Sequence, residues 1–271
     1  MWVGVLSGKG GTGKTSVAAA LSRQWDGAVY IDCDVEEPNG HIFLKPVIDH
    51  EIPVACGVPD VDGDRCDGCG VCASICQFNA LAVVNKEVIV FPEICHHCGA
   101  CWLACPQHAI REGFRTIGII KESDDGRFRM GQLHIGEPSG VPIIGKLKQR
   151  TDPEHHAVFD CPPGASCSVV KSLQGIDYAV VVTEPTAFGF HDMKIICNLL
   201  DALNMPYGIV INKCMDQPSE IRDFCQASDV PILLEIPFSM SFAQMYSKGT
   251  IPPDFAAGLA DRLMGLFPGG G

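Results

Sequence analysis

Two stretches of this chain carry residue types at spacings that do chemistry. The first is Ser7-Gly8-Lys9-Gly10-Gly11-Thr12-Gly13-Lys14-Thr15, which fits G-x-x-x-x-G-K-[ST] from Gly8. Glycines at Gly8, Gly10, Gly11 and Gly13 let backbone N–H groups converge on phosphate oxygens, and a helix opening after them adds a favourable dipole. In such a loop Lys14 pairs with the β- and γ-phosphates of ATP, and the Thr15 hydroxyl binds Mg²⁺. The second is sulfur. Of 15 cysteines, eight form two runs: Cys66, Cys69, Cys72 and Cys76, then Cys95, Cys98, Cys101 and Cys105, the same spacing repeated 29 positions on. Thiolates packed this densely are expected to hold metal.

The elements that must position these groups follow from hydrophobic patterning. Trp2–Leu6 reads as a strand feeding the glycine loop, and Thr15–Trp25 as the helix leaving it. Residues 28–32, 157–160, 178–183, 207–211 and 232–236 are further strands; 188–203, 218–227 and 254–267 have helical spacing. Near-continuous apolar strands alternating with helices predict an α/β, doubly wound, mostly parallel sheet. Between about Gly57 and Gly113 the texture changes. Ala80–Phe91 reads as a hairpin between the cysteine runs, in a unit too small to form a core without its metal. The reading is a main domain of residues 1–57 and 113–271 with an inserted domain at 58–112. Arg115–Gly140, with Asp124-Asp125-Gly126 as its turn, reads as a second hairpin leading back to the sheet.

Composition narrows the function classes. The formal charge of −12 argues against a nucleic-acid partner. An odd cysteine count without a leader-like start argues against a disulfide framework and for a reducing cytoplasm. No apolar run is long enough to span a bilayer, and the apolar stripe Phe255, Leu259, Leu263, Leu266 carries too little positive charge for a stable membrane anchor.

The cysteine runs resemble those of bacterial two-cluster ferredoxins, C-x2-C-x2-C-x3-C twice, with Pro106 after the second run but Gln77 after the first. That resemblance implies two [4Fe–4S] clusters with crossed ligation: Cys66, Cys69, Cys72 and Cys105 on one, Cys95, Cys98, Cys101 and Cys76 on the other. Zinc is the alternative, though zinc ribbons use paired knuckles rather than this repeat. His96, His97 and Trp102 sit among the second set, as surface residues or as groups coupling proton uptake to reduction. Most of the other seven cysteines read as small buried hydrophobes, with Cys167 a candidate for a transferred metal.

The loop K-G-G-T-G-K-T resembles the deviant phosphate loop of the MinD/ParA/Mrp and nitrogenase iron-protein superfamily. There Lys9 would reach across a homodimer to the partner's nucleotide. The resemblance makes Asp34, in Tyr30-Ile31-Asp32-Cys33-Asp34, the residue that positions the attacking water, with Asp32 near Mg²⁺. Asp160 would be the second Mg²⁺ carboxylate, Gly164 a γ-phosphate sensor, and Asn212 either the adenine-reading residue or a plain cap. The chain as a whole resembles superfamily members carrying an inserted ferredoxin domain. That implies a slow, partner-stimulated ATPase, a homodimer or a heterodimer with a related ATPase, and a redox or metal-cluster protein as partner. It leaves three roles open: nucleotide-gated electron transfer, maturation of a metal-cluster protein, and MinD-like positioning.

Overall fold

The computed structural model describes residues 1–215 and 220–267. Its centre is a nine-stranded sheet in the order β11-β10-β9-β1-β8-β2-β7-β6-β3. The strands are β1 (Trp2–Leu6), β2 (Val29–Asp32), β3 (Ile48–Val61), β6 (Ile110–Ser123), β7 (Phe128–Leu133), β8 (Ala157–Asp160), β9 (Tyr178–Thr183), β10 (Tyr207–Cys214) and β11 (Ile232–Pro237). The helices against this sheet are α1 (Lys14–Gln24), α2 (Gly40–Leu44), α5 (Val141–Gln149), α6 (Cys167–Leu173), α7 (Ala187–Ala202), α8 (Glu220–Ala227), α9 (Met240–Tyr246) and α10 (Leu259–Leu266). Pairings from β11 through β7 are parallel, whereas β6 is antiparallel to both β7 and β3. The predicted mostly parallel sheet is therefore present. Of the helix expected at 218–227, Pro218 and Ser219 lie outside the described residues, and the helix expected at 254–267 forms only over Leu259–Leu266.

Strand periodicity divides the core between the two faces of the sheet. Leu6, Ile31, Phe159, Val181 and Ile211 belong to one cluster, which includes residues of α5, α6 and α7. Val5, Tyr30, Val158, Val180 and Val210 belong to the other, with α1 and α10. Asp32 has the parity of Tyr30, and Asp160 that of Val158, so both carboxylates fall on the α1 face. Cys33 and Cys161 fall on the opposite one.

The remaining residues hang from a ribbon. β3 and β6 are each 14 residues long and pair antiparallel from Ile48↔Ser123 to Val61↔Ile110. Residues 62–109 close the far end of this ribbon. They contain α3 (Val71–Ile75), the predicted hairpin as β4 (Leu81–Val84) and β5 (Glu87–Val90), and α4 (Ala100–Leu103). Their small core is lined by Cys72, Ala80, Leu81, Cys95, Cys101, Cys105, Ala109 and Ile110. The hairpin predicted around Asp124-Asp125-Gly126 is β6–β7. The strand β3 was not predicted.

Candidate functional site: a phosphate loop and two thiol sets

The glycine loop lies at the carboxyl end of β1, beside those of β2 and β8, where open α/β sheets bind their ligands. Its shape requires glycine at Gly13, which caps α1 with φ of 95° and where a Cβ would run into the Asn212 amide. Asn212 is buried and donates from Nδ2 to the Thr12 carbonyl at 2.8 Å, so in this structure it clamps the loop. Gly10, Gly11, Lys14, Thr15, Asp34 and Asn212 share a cavity of about 430 Å³, walled by Phe238 and Tyr246. That volume is in the range of small-molecule sites. The Thr12 hydroxyl is buried without a hydrogen-bond partner among the described residues.

Lys14 organises the acidic side of the site. Its Nζ lies 2.6 Å from Asp160 Oδ1 and 3.8 Å from Asp34. Burial opposes its charge, but the carboxylates of Asp160 and Asp34 outweigh burial and hold the ammonium well above the usual lysine range. Tyr30 donates its hydroxyl to Asp160 Oδ2 at 2.8 Å, a contact the sequence did not announce. Asp32 accepts from the Gly40 N–H at 2.9 Å and the Asp34 N–H at 3.1 Å. Full burial, then the neighbouring Asp160, push Asp32 up to about 8. Partial burial pushes Asp34 up to about 6, against the pull of Lys14. Three carboxylates around one lysine suit a site that a divalent cation and a polyphosphate complete.

Two expected groups are engaged elsewhere. The Gly164 N–H donates to the Ser7 carbonyl at 2.9 Å, so here it closes the loop's flank. Lys9 points within its own chain, 2.5 Å from Glu184, which also pairs with Lys213 at 3.1 Å. Lys213 in turn donates to the Gly11 carbonyl at 2.9 Å. Sequence reasoning missed these roles of Glu184, just after β9, and of Lys213, within β10. Gly8 fits because a Cβ there would meet Asp192.

The cysteines form two groups that cross between the runs. Cys66, Cys69, Cys72 and Cys105 line one cavity, with Val88 and Ile110 behind them. Cys95 lies within electrostatic reach of Cys98 and Cys76, and Cys101 of Cys95 and Cys98. The sequence repeat is also a backbone repeat. Positive φ recurs at Gly68 and His97, at Gly70 and Gly99, and at Asn79 and His108. The Ala80 N–H donates to Cys76 Sγ, and the Ala109 N–H to Cys105 Sγ, each at 3.3 Å. Burial pushes the thiols of Cys72, Cys95 and Cys101 upward, Cys101 to about 11. Metal must therefore displace protons to bind there. Among the described residues no three His, Cys, Asp or Glu side chains close on a single ion position.

Of the flanking residues, exposed His96 stacks on Phe78 with ring centroids 3.8 Å apart. Half-buried His97 donates from Nδ1 to the Gly57 carbonyl at 3.1 Å. Among the other seven cysteines, Cys33, Cys56, Cys161, Cys197 and Cys225 are buried as expected, Cys214 is half-buried, and Cys167 is exposed at the start of α6. No described helix is long and apolar enough to cross a membrane.

Residues 3–252 match the family described as the CobQ/CobB/MinD/ParA nucleotide binding domain. The uncharacterized protein MJ0579 of Methanocaldococcus jannaschii is 30% identical over 92% of this chain and 90% of its own length. A second protein of that organism, the uncharacterized MJ0578, is 31% identical over 79% and 78%. Among solved structures, the septum site-determining protein MinD of Pyrococcus horikoshii, complexed with Mg-ADP, superposes with a TM-score of 0.59 at 15% identity, covering 100% of this chain and 98% of that one. A chain of the MinC:MinD cell division protein complex of Aquifex aeolicus gives 0.56 at 15% identity, covering 97% of this chain and 95% of that one. The chain belongs to the CobQ/CobB/MinD/ParA nucleotide-binding family.

Proposed function

We propose that this family member is a MinD/ParA-like ATPase that slowly converts ATP and water to ADP and phosphate and uses the nucleotide state to govern docking of a protein partner. The observation that carries this reading is Lys14, held between Asp160 and Asp34 at the mouth of α1 over the loop cavity. With ATP present, Lys14 transfers from Asp160 to the β- and γ-phosphates, and the loop amides and Thr12 hydroxyl take the remaining oxygens. Thr15, Asp32 and Asp160 would hold Mg²⁺, which neutralises phosphate charge. Asp34 orients the attacking water. Asn212 faces the base, and Gly164 trades its Ser7 carbonyl for the γ-phosphate. Lys9 leaves Glu184 to reach the nucleotide of a second protomer, a copy of this chain or a related ATPase. Slow, partner-stimulated turnover fits a loop without a readable arginine finger in cis. The test is a pair of variants. Lys14→Ala should lose nucleotide binding, whereas Asp34→Ala should bind ATP within about threefold of the parent and lose hydrolysis. Hydrolysis that survives Asp34→Ala rejects the assignment.

A second reading concerns the insert, residues 58–112, and is favoured by the crossed thiol groups and their repeated N–H···S bonds. In it, Cys66, Cys69, Cys72 and Cys105 hold one [4Fe–4S] cluster, and Cys95, Cys98, Cys101 and Cys76 the other. Such clusters would supply one-electron redox chemistry. The chain's own part is to bury Cys72, Cys95, Cys101 and Cys105 and to hydrogen-bond the sulfurs of Cys76 and Cys105. The partner is then a redox protein, or a metal-cluster protein whose maturation the ATPase drives, in a reducing cytoplasm. Anaerobic reconstitution should yield about eight iron and eight sulfide per chain; colourless protein holding zinc would reject it. Labelled iron that migrates to an apo-acceptor would favour maturation over electron transfer.

A further inference from the structure

The turn that carries Cys95 and Cys98 rests on the β3–β6 ribbon through the His97 bond to the Gly57 carbonyl. Beside Gly57, Cys56 of β3 stands opposite Arg115 of β6 in register. Arg115 Nη2 lies 2.6 Å from Glu137 Oε1, and the Glu137 side chain is 4% exposed. Arg115 Nη1, Glu137 Oε2 and His97 Nε2 are buried with no hydrogen-bond partner among the described residues. The Glu137 carboxylate is therefore shielded from water but incompletely bonded, while Arg115 keeps part of its side chain in contact with solvent. Such an arrangement answers strongly to small changes in its surroundings.

From Glu137 a continuous set of contacts runs to the phosphate site. The Glu137 N–H donates to the His134 carbonyl at 3.2 Å, and the His134 N–H to the Ile117 carbonyl at 2.9 Å. One residue earlier, the Leu133 N–H donates at 2.8 Å to the carbonyl of Val35, the neighbour of Asp34. The Val35 side chain is buried against Gly131 and Gly140, where a Cβ on either glycine would collide with it. Val35 thus packs directly on residues 131 and 140, so a shift of Asp34–Val35 bears on the segment between them. Glu137 and Arg115 are the next charged groups along that route.

We infer that Arg115 and Glu137 are positioning residues that transmit the nucleotide state of the Asp34 loop to the turn holding Cys95, Cys98 and Cys101. The inference rests on the reading of a nucleotide site and a thiol-bound cofactor in one chain. It adds that the second thiol set, and not the set containing Cys66, feels the nucleotide. The route is built of discrete hydrogen bonds and packed side chains, so both ends bias the same element. By linkage, the influence runs equally in both directions.

The test begins with amide hydrogen exchange of the full chain, with and without Mg²⁺ and a non-hydrolysable ATP analogue. Exchange should slow at residues 33–36, 133–138 and 94–99 in the parent. In Glu137→Gln it should slow at 33–36 but no longer at 94–99. Arg115→Gln serves as the second variant should Glu137→Gln fail to fold, and Arg115→Lys should restore part of the effect. Protection that never reaches 94–99 in the parent, or reaches it undiminished in both Gln variants, overturns the relay. In iron-loaded protein the analogue should shift one of two midpoint potentials by about 59 mV, the equivalent of a tenfold coupling for one electron. Glu137→Gln should abolish that shift, with analogue affinity of the iron-free protein unchanged and the affinities of the oxidised and reduced loaded forms made equal. Two nucleotide-insensitive potentials overturn the relay while leaving the cofactor assignment standing. Protein that takes up no iron sinks the cofactor assignment, and the exchange data then decide the relay alone.

Discussion

At the scale of single residues, burial sets the behaviour of the carboxylates, and their pH dependence follows. Burial pushes Asp34 up to about 6 in the nucleotide-free chain, and it must be ionised to orient water, so kcat/KM for ATP hydrolysis should climb as pH rises through about 6 and level off above it. A rate profile from pH 5 to 8 checks this, and Asp34→Asn should remove the acid limb together with most of the activity. Asp32 has the opposite consequence for stability. Its folded form keeps a proton up to about 8, whereas the unfolded chain releases it near 4. Across that interval the unfolded state binds fewer protons, so stability without nucleotide falls as pH rises. Melting temperatures of nucleotide-free protein should drop from pH 5 to 8, and Asp32→Asn should flatten the slope. Asp32 and Asp160 could be read from sequence because each ends an apolar strand, with the parity that turns it toward α1. What those strands could not disclose is Tyr30 on Asp160, or Glu184 holding Lys9, since each depends on how remote segments meet.

At the scale of elements, legibility followed burial on both faces. The continuous apolar runs at β1, β8, β9 and β10 announce themselves, and so does the 29-residue cysteine repeat, because chain-local spacing fixes the thiols. β3 was invisible because it is an edge strand. Its residues are largely exposed up to Pro53, it carries Pro53 and Pro59, and its partner β6 lies beyond the entire insert. Packing against α5 was equally hidden. Gly131 sits where a Cβ would come within 2.6–3.1 Å of Ile143, Val35 and Leu147. Gly131→Ala should therefore destabilise by about 1–3 kcal/mol, read from urea unfolding. The ribbon makes a further prediction. Val61 and Ile110 are register partners, so replacing residues 62–109 by Asn-Gly closes a two-residue hairpin. That shortened chain should fold and bind nucleotide within about threefold of the parent, as measured by calorimetry. Aggregation of the shortened chain would make the insert part of the folding unit.

At the scale of the whole molecule, a sheet that runs unbroken into the insert gives the two sites a common frame, with two 14-residue strands where a linker would otherwise stand. Assembly adds a second constraint. Lys9 is committed to Glu184 within its own chain, at 33% side-chain exposure, so using it across a dimer means breaking that contact first. A partly exposed ion pair of this kind is worth roughly 1 kcal/mol at most, so releasing it shifts an association constant about fivefold. Glu184→Gln weakens the hold on Lys9 while leaving a side-chain oxygen for Lys213. It should therefore tighten nucleotide-dependent dimers by up to about fivefold for each pair released, about 25-fold where both protomers release Lys9. Lys9→Ala should leave the chain monomeric even with nucleotide bound. Sedimentation velocity over a concentration series, with Mg²⁺ and a non-hydrolysable ATP analogue, separates these outcomes. Lys9→Ala dimerising like the parent would remove Lys9 from the interface, and Glu184→Gln dimerising more weakly would make Glu184 a support of the loop through Lys213, not a restraint on Lys9.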